Sequence, residues 1–169
     1  MTAKRLLVDA AARQRIAEDL DTSIMCLAGA GAGKTHALVE RMVACVRTGK
    51  VDIGHMAAIT FTRKAAGELR GRFFAALQQE TVRVAEEAEG PEAARQLHRL
   101  RDAVSRLDQC SIGTIHAFCA RLLRERPIEA GLPPDFTEVE AREEMILARA
   151  AWDGFLQARS VAGDDRLLA

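Results

Sequence analysis

The sequence predicts an α/β fold built around a phosphate-binding loop, and three observations carry that reading. Alanine-rich stretches with helical periodicity alternate with short apolar runs, and glycines gather where one gives way to the other. One such junction, residues 28–35, reads AGAGAGKT between an apolar run and a helical pattern. The length, 169 residues, suits a single buried core and is too short for two full domains.

Each element follows from local pattern. Residues 3–20 read as a helix in which Leu6, Leu7, Ala10 and Ile16 partly share a face. Residues 23–28, SIMCLA, read as a short apolar strand running into the glycines. A helix over 34–47 carries Leu38, Met42, Cys45 and Val46 on one side and is closed by Gly49. Residues 56–61 form the next predicted strand. A helix over 65–79 has Leu69, Phe73 and Leu77 at a spacing of four. From 80 to 109 the chain is strongly charged and broken by Gly90-Pro91, after which Ala93, Leu97, Leu100, Val104 and Leu107 alternate by four and three; this predicts a coiled-coil-like hairpin inserted between sheet elements. A third strand over 111–114, a helix over 115–125 running into Pro127, a proline-containing loop and a final helix over 140–158 complete the chain.

Composition narrows the function. Apolar residues at 49% and charged residues at 28% describe a globular chain rather than a disordered one. Residues 1–7 lack the apolar stretch of a secretory signal and no run reaches the roughly 18 residues of a membrane span, so a cytoplasmic address and no membrane partner are expected. With 24 basic and 24 acidic residues, net charge does not by itself indicate nucleic acid, and any such partner must be argued locally. Cys26, Cys45, Cys110 and Cys119 show neither a disulfide framework nor zinc spacing. His116 and Cys119 share a helix face, but two ligands do not make a zinc site. His36, His55 and His98 read as surface residues.

The loop has a specific chemistry. A phosphate needs several backbone N–H groups converging without side chains in the way, which the alternation of Ala28, Ala30 and Ala32 with Gly29, Gly31 and Gly33 permits. The helix that begins near Lys34 adds the positive end of its dipole, Lys34 suits the β and γ phosphates, and the Thr35 hydroxyl suits Mg²⁺. A chance match to the pattern in this length is roughly one in a hundred. A nucleotide and Mg²⁺ are therefore the expected ligands. Beyond residue 35, no apolar run ends in the Asp or Asp-Glu that a hydrolase of this kind uses to hold the metal and orient water.

Two further stretches, AAITFTRKAAGELRGRF at 57–73 and SIGTIHAFCARLLRERP at 111–127, together with AGAGAGKT resemble the first motifs of the UvrD-like superfamily 1 DNA helicases. An alanine at the first loop position is that family's usual form. The opening DAAARQRI and the cysteine of IHAFCARLLRERP resemble more particularly the RecB and AddA helicase-nuclease subunits.

The resemblance implies a RecA-like P-loop NTPase fold with a parallel sheet, here incomplete and with helical insertions, and it implies that the nucleotide is ATP. Residues 1–126 would be the first part of the ATP-binding motor domain 1A, with a helical insert at about 80–109, and 127–169 the start of a helical 1B-like subdomain. It also implies a single-strand track on Thr60, Phe61, Thr62, Arg63 and Lys64, and on Gly113, Thr114 and His116. Residue chemistry alone favours a plainer reading, with Phe61 packed under the sheet and Arg63-Lys64 starting a solvated helix; the resemblance favours base stacking and phosphate contact. An adenine-reading Gln normally precedes the loop, and Gln14 and Arg13 fit that place about equally.

The acidic Mg²⁺ motif, a second motor domain with arginine fingers and any nuclease domain would lie beyond residue 169. The chain thus reads as an amino-terminal piece that binds nucleotide without turnover, from a 3′ to 5′ translocase acting on single-stranded DNA and duplex ends, whose protein partner would be a second helicase-nuclease subunit. A small P-loop kinase and a non-catalytic nucleotide-dependent interaction module are the alternatives, and TFTRKAA and GTIHAF argue against the kinase.

Overall fold

The structure, a computed structural model, describes residues 9–139 and 141–161. The chain divides between Cys119 and Ala120 into two compact units, and each is described by itself.

In the first unit, α1 spans Ala10–Glu18; the earlier part of the predicted helix, with Leu6 and Leu7, lies outside the described residues. The Arg41 guanidinium donates to the carbonyls of Ile16, Asp19 and Thr22 at 2.8, 2.7 and 3.0 Å, tying the exit of α1 to the helix that carries Arg41. The predicted strand over 23–28 is not found: these residues enter no ladder among the described residues. Met25 and Leu27 are each 84% exposed. An apolar alternation identifies a strand only when a neighbouring strand takes up its N–H and C=O groups, and the described residues supply none there.

Helix α2, Lys34–Thr48, buries Val39, Met42, Val43 and Val46. It ends where predicted, because Gly49 adopts the left-handed conformation at φ 75° and its N–H caps the Val46 carbonyl. A 3-10 turn at Ile53–His55 leads into strand β1, Ala57–Thr60.

Helix α3 runs unbroken over Arg63–Glu87. It starts two residues before the predicted position because the Thr62 hydroxyl accepts the Ala65 N–H at 3.1 Å, and it continues past the predicted end at residue 79. Leu69, Phe73, Leu77 and Val84 form one continuous buried stripe along it, so packing rather than the charged composition sets its length. The hairpin turn falls at Gly90, φ 93°, and Pro91 opens helix α4, Pro91–Ser105. A second 3-10 turn, Leu107–Gln109, precedes strand β2, Ser111–Thr114.

β1 and β2 pair in parallel, with Ala57 opposite Ser111 and Thr60 opposite Thr114. The Arg106 guanidinium joins the two strand entries: it pairs with Asp52 at 3.1 Å and donates to Gln109 at 2.9 Å. The core lies among α2, α3, α4 and one sheet face, centred on the fully buried Phe73, Leu77 and Leu100, with Ala58 and Ile112 as the sheet's contribution. Ile59, on the opposite face, is exposed.

Helix α5, Ile115–Glu125, crosses the boundary between the units. In the second unit, Arg124 stands 5.4 Å over the Phe136 ring and pairs with Glu138 at 2.9 Å, which closes the loop after α5. Helix α6, Ala141–Val161, stacks Trp152 on Phe155 at 5.6 Å and leaves Met145, Ile146 and Leu147 exposed.

Candidate functional site

The glycine loop joins segment 23–28 to α2. Gly31 and Gly33 have φ of 74° and 85°, a region that side-chain-bearing residues avoid, so two of the three loop glycines are demanded by backbone shape. A Cβ placed on Gly29 or Gly31 would meet nothing within 4 Å, so the backbone there faces open space.

Helix α2 begins with Gly33 at its cap, no capping side chain and no acid in its first turn. Its first N–H groups are therefore left for an anion. The Lys34 ammonium donates to the Ala28 and Gly29 carbonyls at 2.8 and 2.7 Å, holding its charge across the loop. Thr35 is exposed on the same turn. Exposed amide donors, a cation and a hydroxyl on one turn fit the triphosphate and metal that the sequence predicts. Among the described residues no group of three or more His, Cys, Asp or Glu side chains is placed to hold a metal by itself.

The two residues weighed for base recognition separate. Gln14 donates to Glu18 on its own helix at 3.1 Å. Arg13 reaches the loop, donating from Nη2 to the Ala32 carbonyl at 2.7 Å. Asp9 braces it, accepting from Arg13 Nε at 2.9 Å, and this hydrogen bond holds the Asp9 carboxyl below its usual range. Sequence pattern carries no signal for this contact, because an Asp–Arg pair four residues apart is common on exposed helices.

The strand register assembles the second set. Since Thr60 lies opposite Thr114, the residues that leave the two strands, and the starts of α3 and α5, stand side by side at one sheet end. Thr60 Oγ1 donates to the Thr62 carbonyl at 3.1 Å. Thr62 and Thr114 act alike, each accepting the N–H three residues on, at 3.1 and 3.2 Å. Arg70 of α3 donates to the Ile112 carbonyl at 3.2 Å and fixes that helix to β2, a contact without sequence signal.

Phe61 is 96% exposed at the turn between β1 and α3, so the plainer reading that packs it under the sheet does not describe its position. Arg63, Lys64 and His116 are exposed, and Gly113 is half-buried in β2. Neither α3 nor α5 has an acid in its first turn, whereas α4 carries Glu92 and α6 carries Glu143 and Glu144 there. Basic residues at a helix start oppose the helix dipole, so Arg63 and Lys64 add positive potential where it is already positive.

A glycine loop of this shape opening onto an uncapped helix, in a chain that also pairs two strands in parallel, fits a P-loop NTPase. The chain belongs to the UvrD/REP helicase N-terminal domain family, whose profile matches residues 8–162. It is similar to an ATP-dependent helicase/nuclease subunit of Syntrophomonas wolfei, 31% identical over 148 residues that cover 88% of this chain and 11% of that protein. The protein of the same description from Desulforudis audaxviator is 34% identical over 151 residues, covering 87% of this chain and 12% of its own length. That of Geobacillus thermodenitrificans is 37% identical over 131 residues, covering 73% and 10%. The chain thus spans about a tenth of the length of these curated relatives. Among the described residues no helix is long and apolar enough to cross a membrane.

Proposed function

We propose that the chain is the amino-terminal nucleotide- and DNA-binding part of an ATP-dependent DNA helicase, a 3′ to 5′ translocase and helicase-nuclease subunit that works on DNA ends in the cytoplasm. Under this reading residues 1–126 belong to a RecA-like motor domain and 127–169 begin a helical subdomain. The observation that carries it is the parallel register that sets Thr60 against Thr114, because it brings two motif segments, 53 positions apart for their hydrogen-bonded residues Thr60 and Gly113, to one positively biased sheet end.

The chain's own groups have separable tasks. The N–H groups of the loop and of the α2 start bind phosphate oxygens, and Lys34, released from the two carbonyls it holds, neutralises them. Thr35 offers one oxygen to Mg²⁺. ATP, when bound, supplies the free energy of its hydrolysis. Phe61 stacks on a base, while Thr60, Thr62, Gly113, Thr114 and His116 offer polar groups to the strand and Arg63 and Lys64 supply charge. A second helicase-nuclease subunit is the expected partner.

The test is a titration of a fluorescent ATP analogue with Mg²⁺ against the chain and its Lys34→Ala variant. Loss of a charge-assisted phosphate contact should weaken binding by about 1.5 to 3 kcal/mol. Equal affinities would remove nucleotide binding from this loop.

A further inference from the structure

Resting on the reading of the loop as a nucleotide site, we propose that Arg13, braced by Asp9, is a positioning residue that sets the direction of the Gly33 N–H in the phosphate loop. In a trans peptide the C=O of one residue and the N–H of the next lie in one plane and point in opposite directions. The Ala32 carbonyl is drawn to Arg13 Nη2 at 2.7 Å, so the Gly33 N–H is turned to the side away from α1.

The guanidinium also lies against Gly33 itself: a Cβ there would stand 3.1 Å from Nη1 and 3.7 Å from Nη2. Gly33 has φ of 85°, and a glycine with that freedom can turn its peptide over at little steric cost. A fixed donor on the Ala32 carbonyl removes that freedom. Asp9 keeps the fork in place: its Oδ2 accepts from Nε at 2.9 Å and faces Nη2 as an ion pair at 2.8 Å. A lysine in place of Arg13 has no second arm with which to hold Asp9 and the carbonyl in one plane.

Such a residue acts on the phosphates through the loop and does not touch the base. Its removal should therefore weaken ATP and inorganic tripolyphosphate by the same factor, whereas a base-reading residue would affect ATP alone. The chain and its Arg13→Ala, Arg13→Lys, Asp9→Asn and Lys34→Ala variants are titrated with MgATP and with magnesium tripolyphosphate, and the Gly33 amide is followed by NMR without ligand.

Arg13→Ala is expected to weaken both ligands by about tenfold, the equivalent of one lost hydrogen bond to a charged group, and to move the Gly33 amide resonance. Asp9→Asn should act in the same direction and Arg13→Lys should not restore binding. A merely structural role would instead lower the unfolding temperature and leave ligand affinity in the folded fraction unchanged. Loss confined to ATP, or no loss in Arg13→Ala, overturns the proposal while a weakened Lys34→Ala leaves the nucleotide site standing. An unaffected Lys34→Ala overturns the nucleotide reading, and the proposal with it. If Arg13→Ala does not fold, Asp9→Asn decides by the same two measurements.

Discussion

Phe61 and Phe73 lie on the same stretch of chain and meet opposite fates. Phe73 is fully buried within α3 and the core around it, while Phe61 stands almost fully in water. Exposing a ring that large gives up about 2 kcal/mol of burial, which the base stacking proposed above would offset. We expect Phe61→Ala to weaken single-stranded DNA binding by about 1 to 3 kcal/mol in an equilibrium titration of the intact protein, with its unfolding temperature unchanged. Phe73→Ala is expected to do the reverse, costing about 3 to 5 kcal/mol of folding stability in a denaturant titration. An unfolding midpoint for Phe73→Ala equal to the parent's would contradict its place in the core.

The helix ends show how much of each element was legible. Gly49 could be read as the stop of α2, and the structure gives the reason twice over. Its φ is 75°, and a Cβ there would come within 2.7 Å of Arg99 Nε, the guanidinium that also donates to the Arg47 carbonyl at 3.2 Å. Gly49→Ala should therefore destabilise the fold by about 1 to 2 kcal/mol through the left-handed strain alone, and by more if Arg99 loses its carbonyl. Thermal unfolding checks this, with Arg99→Ala/Gly49→Ala as the double variant: a less-than-additive cost would place the two in one interaction. By contrast, the start and length of α3 were not legible. Thr62 as a cap and Val84 as the end of a buried stripe are facts of packing, and the charged run after residue 79 gave the opposite impression.

Several carboxylates are held by partners in the fold, two of them across separate segments, and this makes stability depend on acid. The Gly54 N–H and the Arg106 guanidinium hold Asp52 below its usual range where the two strand entries meet. Arg83 does the same for Glu80, which also faces Arg47 of α2 at 3.3 Å, against the opposing effect of partial burial. Asp19 is lowered by the Thr22 hydroxyl, Glu92 by Arg95, and Asp9 by Arg13. Because each folded value lies below the unfolded one, the stability they contribute is present above the ordinary carboxylate range and is lost as pH falls through the folded values. The unfolding temperature should stay level down to about pH 5 and fall below about pH 4. Asp52→Asn should reduce that fall. A level unfolding temperature to about pH 3 would mean these pairs add nothing to the fold.

The loop, the family resemblance and most of the elements could be read from the residues in order, because glycine freedom, the pairing of lysine with a threonine at a helix start, and apolar periodicity are local properties of a few neighbouring residues. Long-range packing settled that residues 23–28 enter no ladder among the described residues, since a strand is made by its partner. It also settled that Phe61 is exposed and that Arg13 rather than Gln14 reaches the loop. Those outcomes depend on where α1 is held by Arg41 and on a register set 54 residues away, at Ala57 and Ser111, and no local pattern encodes a distance of that kind.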